Sequence, residues 1–311
     1  MTEINRYIQK LLKGNDLSTE DVARALQIIT LGGATPSQAS AFLTAFKMKG
    51  YTTEELAGAI QFISYKQKIA EFDREALFIS AEHDNAEQWI GASLICASLN
   101  IPVYLQFQST ADMNLGQVLN LEMKYDSKKI AQCLEENNLT IANEGDHFVF
   151  RNIFGFNDEL EFLNIFDVAL PMSSVVSTMG VVYVSHNDYK LELKAKALSQ
   201  GHESNALLIG ASKKCYRVFD DKLSSFEFFS GKDGIQDSLQ EKAANLRVFL
   251  GVGGGDTAKN ESILTVAGHL LFLVKAVESL EDGIKMARSA QESKKLINTL
   301  DSLVKITNAL D

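Results

Sequence analysis

Over the first seventy residues apolar positions recur with helical spacing, cut into short segments by polar punctuation. Val22, Ala25, Leu26 and Ile29 form one i, i+3, i+4, i+7 stripe; Ala39, Phe42, Leu43 and Phe46 form a second; Leu56, Ala59, Ile60 and Ile63 form a third. A helix-start signal precedes each stripe. Ser18-Thr19-Glu20-Asp21 and Thr52-Thr53-Glu54-Glu55 set a hydroxyl at the N-cap and a carboxylate three residues on. Thr35-Pro36-Ser37-Gln38 adds proline at the first helical position, where its missing N–H costs nothing. Gly14, Gly32-Gly33 and Gly50 supply the stops. With a further helix near Ile4 to Leu12, the pattern predicts four short helices, each with one apolar face to cover.

The texture changes after Arg74. Ala76-Leu77-Phe78-Ile79 is a continuous apolar run of strand length, helical residues run from Trp89 to Leu99, and Ile101-Pro102-Val103-Tyr104-Leu105 is a second apolar run. Strand, helix and strand within about 30 residues make a βαβ unit and hence a parallel sheet. Asp126 to Asn137 reads as a helix with Ile130, Cys133 and Leu134 inward. Val181-Val182-Tyr183-Val184 and Ala206-Leu207-Leu208-Ile209 read as strands with the helix Lys190 to Leu198 between them. Val218-Phe219 and Ser225 to Phe229 suit an antiparallel edge. From Glu261 to Leu310 the chain is helical, with an interruption near Glu278 to Asp282. The predicted class is α/β: a small N-terminal helical domain (residues 1–70) plus a larger α/β domain (71–311) with a central, mostly parallel sheet flanked by helices. Residues of about 155–180 are candidates for packing with the helical domain.

Composition narrows the function classes. Hydrophobic residues make up 46% and charged residues 23% of the 311, as in an ordinary globular protein. No apolar run approaches the roughly 20 residues that cross a bilayer, and the start is polar and turns helical at once, so no membrane role and a cytoplasmic location are expected. The three cysteines (Cys96, Cys133, Cys215) lie far apart among apolar or helical neighbours and read as buried free thiols. The five histidines show no metal-ligand spacing, so no metal site is expected. A formal charge of −10 opposes binding to a polyphosphate backbone, and the densest basic stretch, Lys190 to Lys196, reads as a solvated helix face.

Particular residues go further. Asp16-Leu17-Ser18, then Gly33-Ala34-Thr35-Pro36-Ser37-Gln38-Ala39-Ser40-Ala41-Phe42-Leu43, then Lys49-Gly50-Tyr51-Thr52-Thr53-Glu54-Glu55-Leu56-Ala57-Gly58-Ala59, resemble in type and spacing the opening of anthranilate phosphoribosyltransferases. Weaker similarity continues through Lys129 to Glu136, Gly254-Gly255-Asp256 with Ala258 and Asn260, and Ser279 to Ala287. The resemblance implies transfer of a ribose phosphate from phosphoribosyl pyrophosphate to an amine with Mg²⁺, at a site between two domains. It also implies a homodimer built through the N-terminal helices. Related branches include nucleoside phosphorylases and proteins that bind nucleic acid.

The positions that would carry that chemistry are replaced. A glycine-rich turn after the first strand would let backbone N–H groups cradle phosphates, but Ser80-Ala81-Glu82-His83-Asp84-Asn85 has no glycine and two carboxylates. The next phosphate-binding helix start corresponds to Glu87, Gln88, Trp89 and Ile90, with Trp89 read as packing. The cationic segment after the second strand corresponds to Leu105, Gln106, Phe107, Gln108 and Ser109; the substrate arginine corresponds to Leu163; the metal carboxylates correspond to the stretch Ala211 to Tyr216. The glycine run Gly251 to Gly255 reads as a turn with Asp256 as a helix N-cap, His83-Asp84 as a polar loop, and His186 to Tyr189 as a strand-to-helix loop in which Asn187 or Asp188 caps the next helix.

No catalytic residue is therefore assigned, and no cofactor is expected. If loop positions follow the family, Ser80, His83, Asn85, Gln106, Gln108 and Ser109 line a cleft suited to a neutral, hydrogen-bonding small molecule. The leading expectation is a protein that has lost the transfer reaction and serves in ligand binding or regulation. Two alternatives stand beside it: a divergent glycosyl or phosphoribosyl transferase, which would need Mg²⁺, and a nucleic-acid-binding member.

Overall fold

The computed structural model describes residues 2–68, 71–81, 86–108, 110–122, 126–143, 160–185, 187–200, 205–212, 214–220, 222–227, 238–252 and 257–309. Four helices open the chain: α1 (Glu3–Leu12), α2 (Thr19–Thr30), α3 (Pro36–Lys49) and α4 (Thr53–Gln67). Then come β1 (Ala76–Ala81), α5 (Ala86–Ser98), β2 (Val103–Phe107), α6 (Thr110–Val118), α7 (Ser127–Asn137) and β3 (Leu139–Asn143). The short α8 (Ile165–Ala169) leads into a single 3₁₀ turn and β4 (Thr178–Val184), followed by α9 (Leu191–Gln200) and β5 (Asn205–Ile209). The hairpin β6 (Lys214–Phe219) and β7 (Lys222–Glu227) precedes α10 (Leu239–Val252), α11 (Thr257–Leu273), α12 (Leu280–Glu292) and α13 (Lys295–Asn308).

The caps expected from sequence start the first helices. Thr35 and Gln38, and Thr52 and Glu55, form reciprocal capping boxes; Ser18 Oγ accepts the Asp21 amide alone, because the Asp21 carboxylate pairs with Lys10 at 2.6 Å. The three predicted stripes are buried throughout. Gly58 lets α2 and α4 approach: a Cβ there would lie 2.5 Å from the Thr19 carbonyl oxygen.

The chain forms two compact units. The first gathers residues 1–68, 148–175 and 190–203, and the second 69–147, 176–189 and 204–311. The helical unit thus draws on chain well beyond residue 70. Gln67 Nε2 donates to the Ser173 carbonyl at 2.8 Å and Gln61 Nε2 to the Gln200 carbonyl at 3.2 Å, fastening the later segments to α4. The stretch Lys190 to Lys196 is not the uniformly solvated face read from sequence. Lys194 is only 6% exposed, and Lys190 Nζ lies 4.1 Å from the centre of the Tyr51 ring.

The second unit is built on a seven-stranded sheet in the order β3-β2-β1-β4-β5-β6-β7. Strands β1 to β5 pair in parallel, and β6 and β7 add an antiparallel edge. Strand alternation splits side chains between two faces. Leu77, Ile79, Val103, Leu105, Val182, Val184, Leu207 and Ile209 enter one core with Trp89, Ile90 and Leu94 of α5 and the apolar stripes of α10, α11 and α13. Trp89 is 3% exposed within it, as packing required. The opposite face carries Phe78, Ser80, Tyr104, Gln106, Val181 and Tyr183, also buried. The mostly parallel sheet, its helices and the preceding helical domain are the architecture predicted.

Candidate functional site

Strand order turns the chain outward in both directions from the β1–β4 pair, so the carboxyl ends of these strands form the sheet's topological switch point, where open α/β sheets receive ligands. Ser80 sits at that end of β1, opposite Gln106 on β2 and Tyr183 on β4. Ser80 is fully buried and Gln106 is 4% exposed. Gln108, just past β2, is locked twice: its backbone N–H donates to the Ala81 carbonyl at 3.1 Å, and its Nε2 donates to Ser80 Oγ at 2.7 Å. Ser80, Gln106 and Gln108 therefore converge, and His83, Asn85 and Ser109 lie outside the described residues.

The loops after β4 and β5 border the same end and are tied by short polar contacts. Ser185 N–H donates to the Ile209 carbonyl at 2.8 Å. Asn187 Oδ1 accepts the Tyr189 amide at 2.9 Å, and Asp188 Oδ1 accepts the Ser212 amide at 3.3 Å. This corrects the expectation that Asn187 or Asp188 caps the next helix: Asn187 closes a local turn ahead of Lys190, and Asp188 braces the loop after β5. His186 and residues 253–256, Asp256 among them, lie outside the described residues.

Among the described residues, the side chains at the carboxyl ends of β1 and β2 are uncharged. Helix α5 begins directly after the β1 loop, and a helix N-terminus favours an anion. Glu87 already places a carboxylate in its first turn, with Oε2 3.8 Å from Lys242 Nζ of α10. After β5, Gly210, Ala211 and Ser212 offer no carboxylate. No group of three or more His, Cys, Asp or Glu able to hold a metal occurs among the described residues. Cys96 of α5 is no nucleophile: complete burial pushes its thiol up to about 12. In the first unit, Leu163 is 66% exposed, and the residue after it begins α8 through a reciprocal cap: Asn164 Oδ1 accepts the Phe166 amide, and Asp167 Oδ2 accepts the Asn164 amide.

Sequence reading missed the Glu87–Lys242 pair, for which only the helix-start position of Glu87 gave a signal. Nothing in sequence linked Lys242, more than 150 residues later, to it.

A helical bundle and a mostly parallel α/β unit define the class, and residues 5–63 match the family model described as "Glycosyl transferase family, helical bundle domain". Anthranilate phosphoribosyltransferases align with the chain end to end. That of Acetivibrio thermocellus is 23% identical over 343 residues, covering 98% of this chain and 97% of that protein. That of Rhizobium johnstonii is 24% identical over 341 residues, covering all of both. Among solved structures, the Thermus thermophilus enzyme superposes with a TM-score of 0.80 at 16% identity, over 97% of this chain and 99% of that one. The Saccharomyces cerevisiae enzyme in complex with PRPP and Mg gives 0.76 at 16%, over 99% and 98%. The chain thus shares the fold of anthranilate phosphoribosyltransferases and is similar to them along its whole length, at low identity. Among the described residues no helix is long and apolar enough to cross a membrane.

Proposed function

We propose that this chain has given up transfer from phosphoribosyl pyrophosphate and instead binds a neutral, hydrogen-bonding small molecule at the carboxyl ends of β1 and β2, as a ligand-binding or regulatory relative of the transferases. The observation that carries this reading is the 2.7 Å bond from Gln108 to the buried Ser80. A transferred phosphoribosyl group and its diphosphate need cations, metal or bare amides held against developing charge. Among the described residues the groups held here are an amide and a hydroxyl, both uncharged, and the adjoining helix start carries Glu87 paired with Lys242. Removing such anchors together takes away the electrostatic stabilisation of the leaving group while leaving the switch-point end of the sheet in place. The family resemblance favours a homodimer, and no cofactor is assigned.

Calorimetric titration of the full chain with phosphoribosyl pyrophosphate and Mg²⁺ tests this reading. No saturable heat is expected up to millimolar ligand. A saturating isotherm at micromolar ligand, or turnover of anthranilate, would establish the divergent transferase in its place.

A further inference from the structure

The β6–β7 hairpin meets α11 through a run of rings and cations, away from the switch point. Phe219 and Phe272 stack with ring centres 5.3 Å apart. Lys275 Nζ lies 5.1 Å from the centre of Phe219 and pairs with Asp220. Phe226 stacks on His269 at 5.5 Å. Between these groups lies Arg217, its Cζ 4.9 Å from the centre of Phe272 and 5.5 Å from that of Phe226.

Arg217 differs from its neighbours in what it lacks. Lys275 has a carboxylate, whereas none of the described carboxylates lies within ion-pairing distance of Arg217. Its Nε is sealed from solvent with no hydrogen-bond partner, while the residue as a whole is only half-buried. Burial holds the guanidinium below its usual value, yet a guanidinium stays charged across the whole physiological range. Cation–π contact offsets part of the desolvation but uses the face of the planar group. The unused part is the terminal edge, whose two Nη groups, unlike Nε, are not sealed and form a rigid fork of N–H donors that matches two oxygens of one carboxylate or phosphate.

We propose that Arg217 anchors a small-oxyanion site at the seam between the β6–β7 hairpin and α11, taking a carboxylate or phosphate group edge-on while Phe226 and Phe272 hold the guanidinium in place. The site is separate from the neutral end of the sheet and does not depend on that reading. The chain's charge of −10 opposes the approach of anions, and salt screens the attraction to the guanidinium itself, so binding is weak.

The test is a titration of the wild-type chain at low ionic strength with inorganic phosphate and, separately, acetate, following the arginine Nε–Hε resonances by NMR. The Arg217 signal is assigned by its loss in Arg217→Lys. A saturable displacement of that signal is expected with at least one anion, and the stronger of the two identifies the phosphate or carboxylate source. Thermal melts should show stabilisation by the same anion in the wild type and none in Arg217→Met, which keeps the stem against the rings. A linear drift shared with the exposed Arg6, or equal stabilisation of Arg217→Met, would overturn the site. Should Arg217→Met not fold, the wild-type titration decides alone.

Discussion

At the scale of single residues, the helical unit turns on one buried acid. Glu55 is fully buried, and its carboxylate does three things at once. Oε1 accepts the Leu17 amide at 2.8 Å, while Oε2 accepts the Thr52 amide at 2.9 Å and pairs with Lys49 at 2.8 Å. Burial alone would lower Lys49, but hydrogen bonds and charge from Asp16 and Glu55 raise it overall. Deleting the acid leaves a nearly buried ammonium and two amides short of an acceptor. Glu55→Ala should cost about 3–5 kcal/mol, the range for breaking a buried pair from one side. A urea midpoint close to that of the wild type would show that Asp16, the other carboxylate on Lys49, suffices. The same scale explains what is readable of the candidate site. Ser80 and Gln106 fall on alternate positions of apolar strands, so their shared face follows from the period of two. The Gln108 bond back to Ser80 depends on how the chain leaves β2, which no local pattern encodes.

At the scale of elements, legibility tracks the strength of local punctuation. Helices α2 to α4 start at hydroxyl caps and α1 to α3 end at or just before glycines, so these ends fall within a residue or two of their signals. Strands β1 and β2 announce themselves by their apolar runs, although each extends two residues beyond its run, into Ser80-Ala81 and Gln106-Phe107. Strand β3, Leu-Thr-Ile-Ala-Asn, is too short and mixed to stand out, and sequence reading misses the start of α10 although Ser238 and Glu241 form a reciprocal cap there. The sequence puts the C-terminal break near Glu278 to Asp282, but α11 ends at Leu273 and α12 begins at Leu280. A second break at Ser293–Lys294 leaves no sequence signal because Lys294, with φ 58°, takes the left-handed turn that glycine usually marks. Two glycines set how α11 and α12 cross. A Cβ on Gly283 would meet the Gly268 carbonyl oxygen at 2.6 Å and its Cα at 3.1 Å, contacts with backbone that cannot swing aside. Alanine normally gains about 1 kcal/mol over glycine in a helix, but overpacking of this kind costs about 1–3 kcal/mol, so Gly283→Ala should destabilise. A Cβ on Gly251 in α10 would meet nothing within 4 Å, and Gly251→Ala should be neutral or slightly stabilising. Thermal melts of the two variants check the contrast, and equal shifts would mean the helices can slide apart.

At the scale of the whole molecule, acid should act through one histidine in particular. His269 is 8% exposed and stacked on Phe226; burial, and secondarily the positive charge of Arg217, push it down from 6.5 to about 4. The folded chain therefore resists a proton that the unfolded chain accepts near its ordinary value. Stability from this group is complete above about pH 6.5 and drains away as pH falls toward 4, at up to about 1.4 kcal/mol per unit and about 3 kcal/mol in all. Carboxylates held low, such as Glu3 beside Arg24 and Glu241 beside Ser238, act only further down, below their usual value of 4.5. The two effects thus separate along the pH axis. His269→Gln removes the ionisation, so the stability difference between wild type and variant should narrow or reverse between pH 6.5 and 4 and stay constant above pH 7. Denaturant unfolding across that range makes the comparison, and parallel curves would mean that His269 keeps its ordinary affinity for a proton. Arg217→Met links this measurement to the proposed oxyanion site. With the neighbouring cation gone, His269 should titrate closer to 6.5 and the acid loss should shrink, and a bound phosphate should act in the same direction by neutralising that charge.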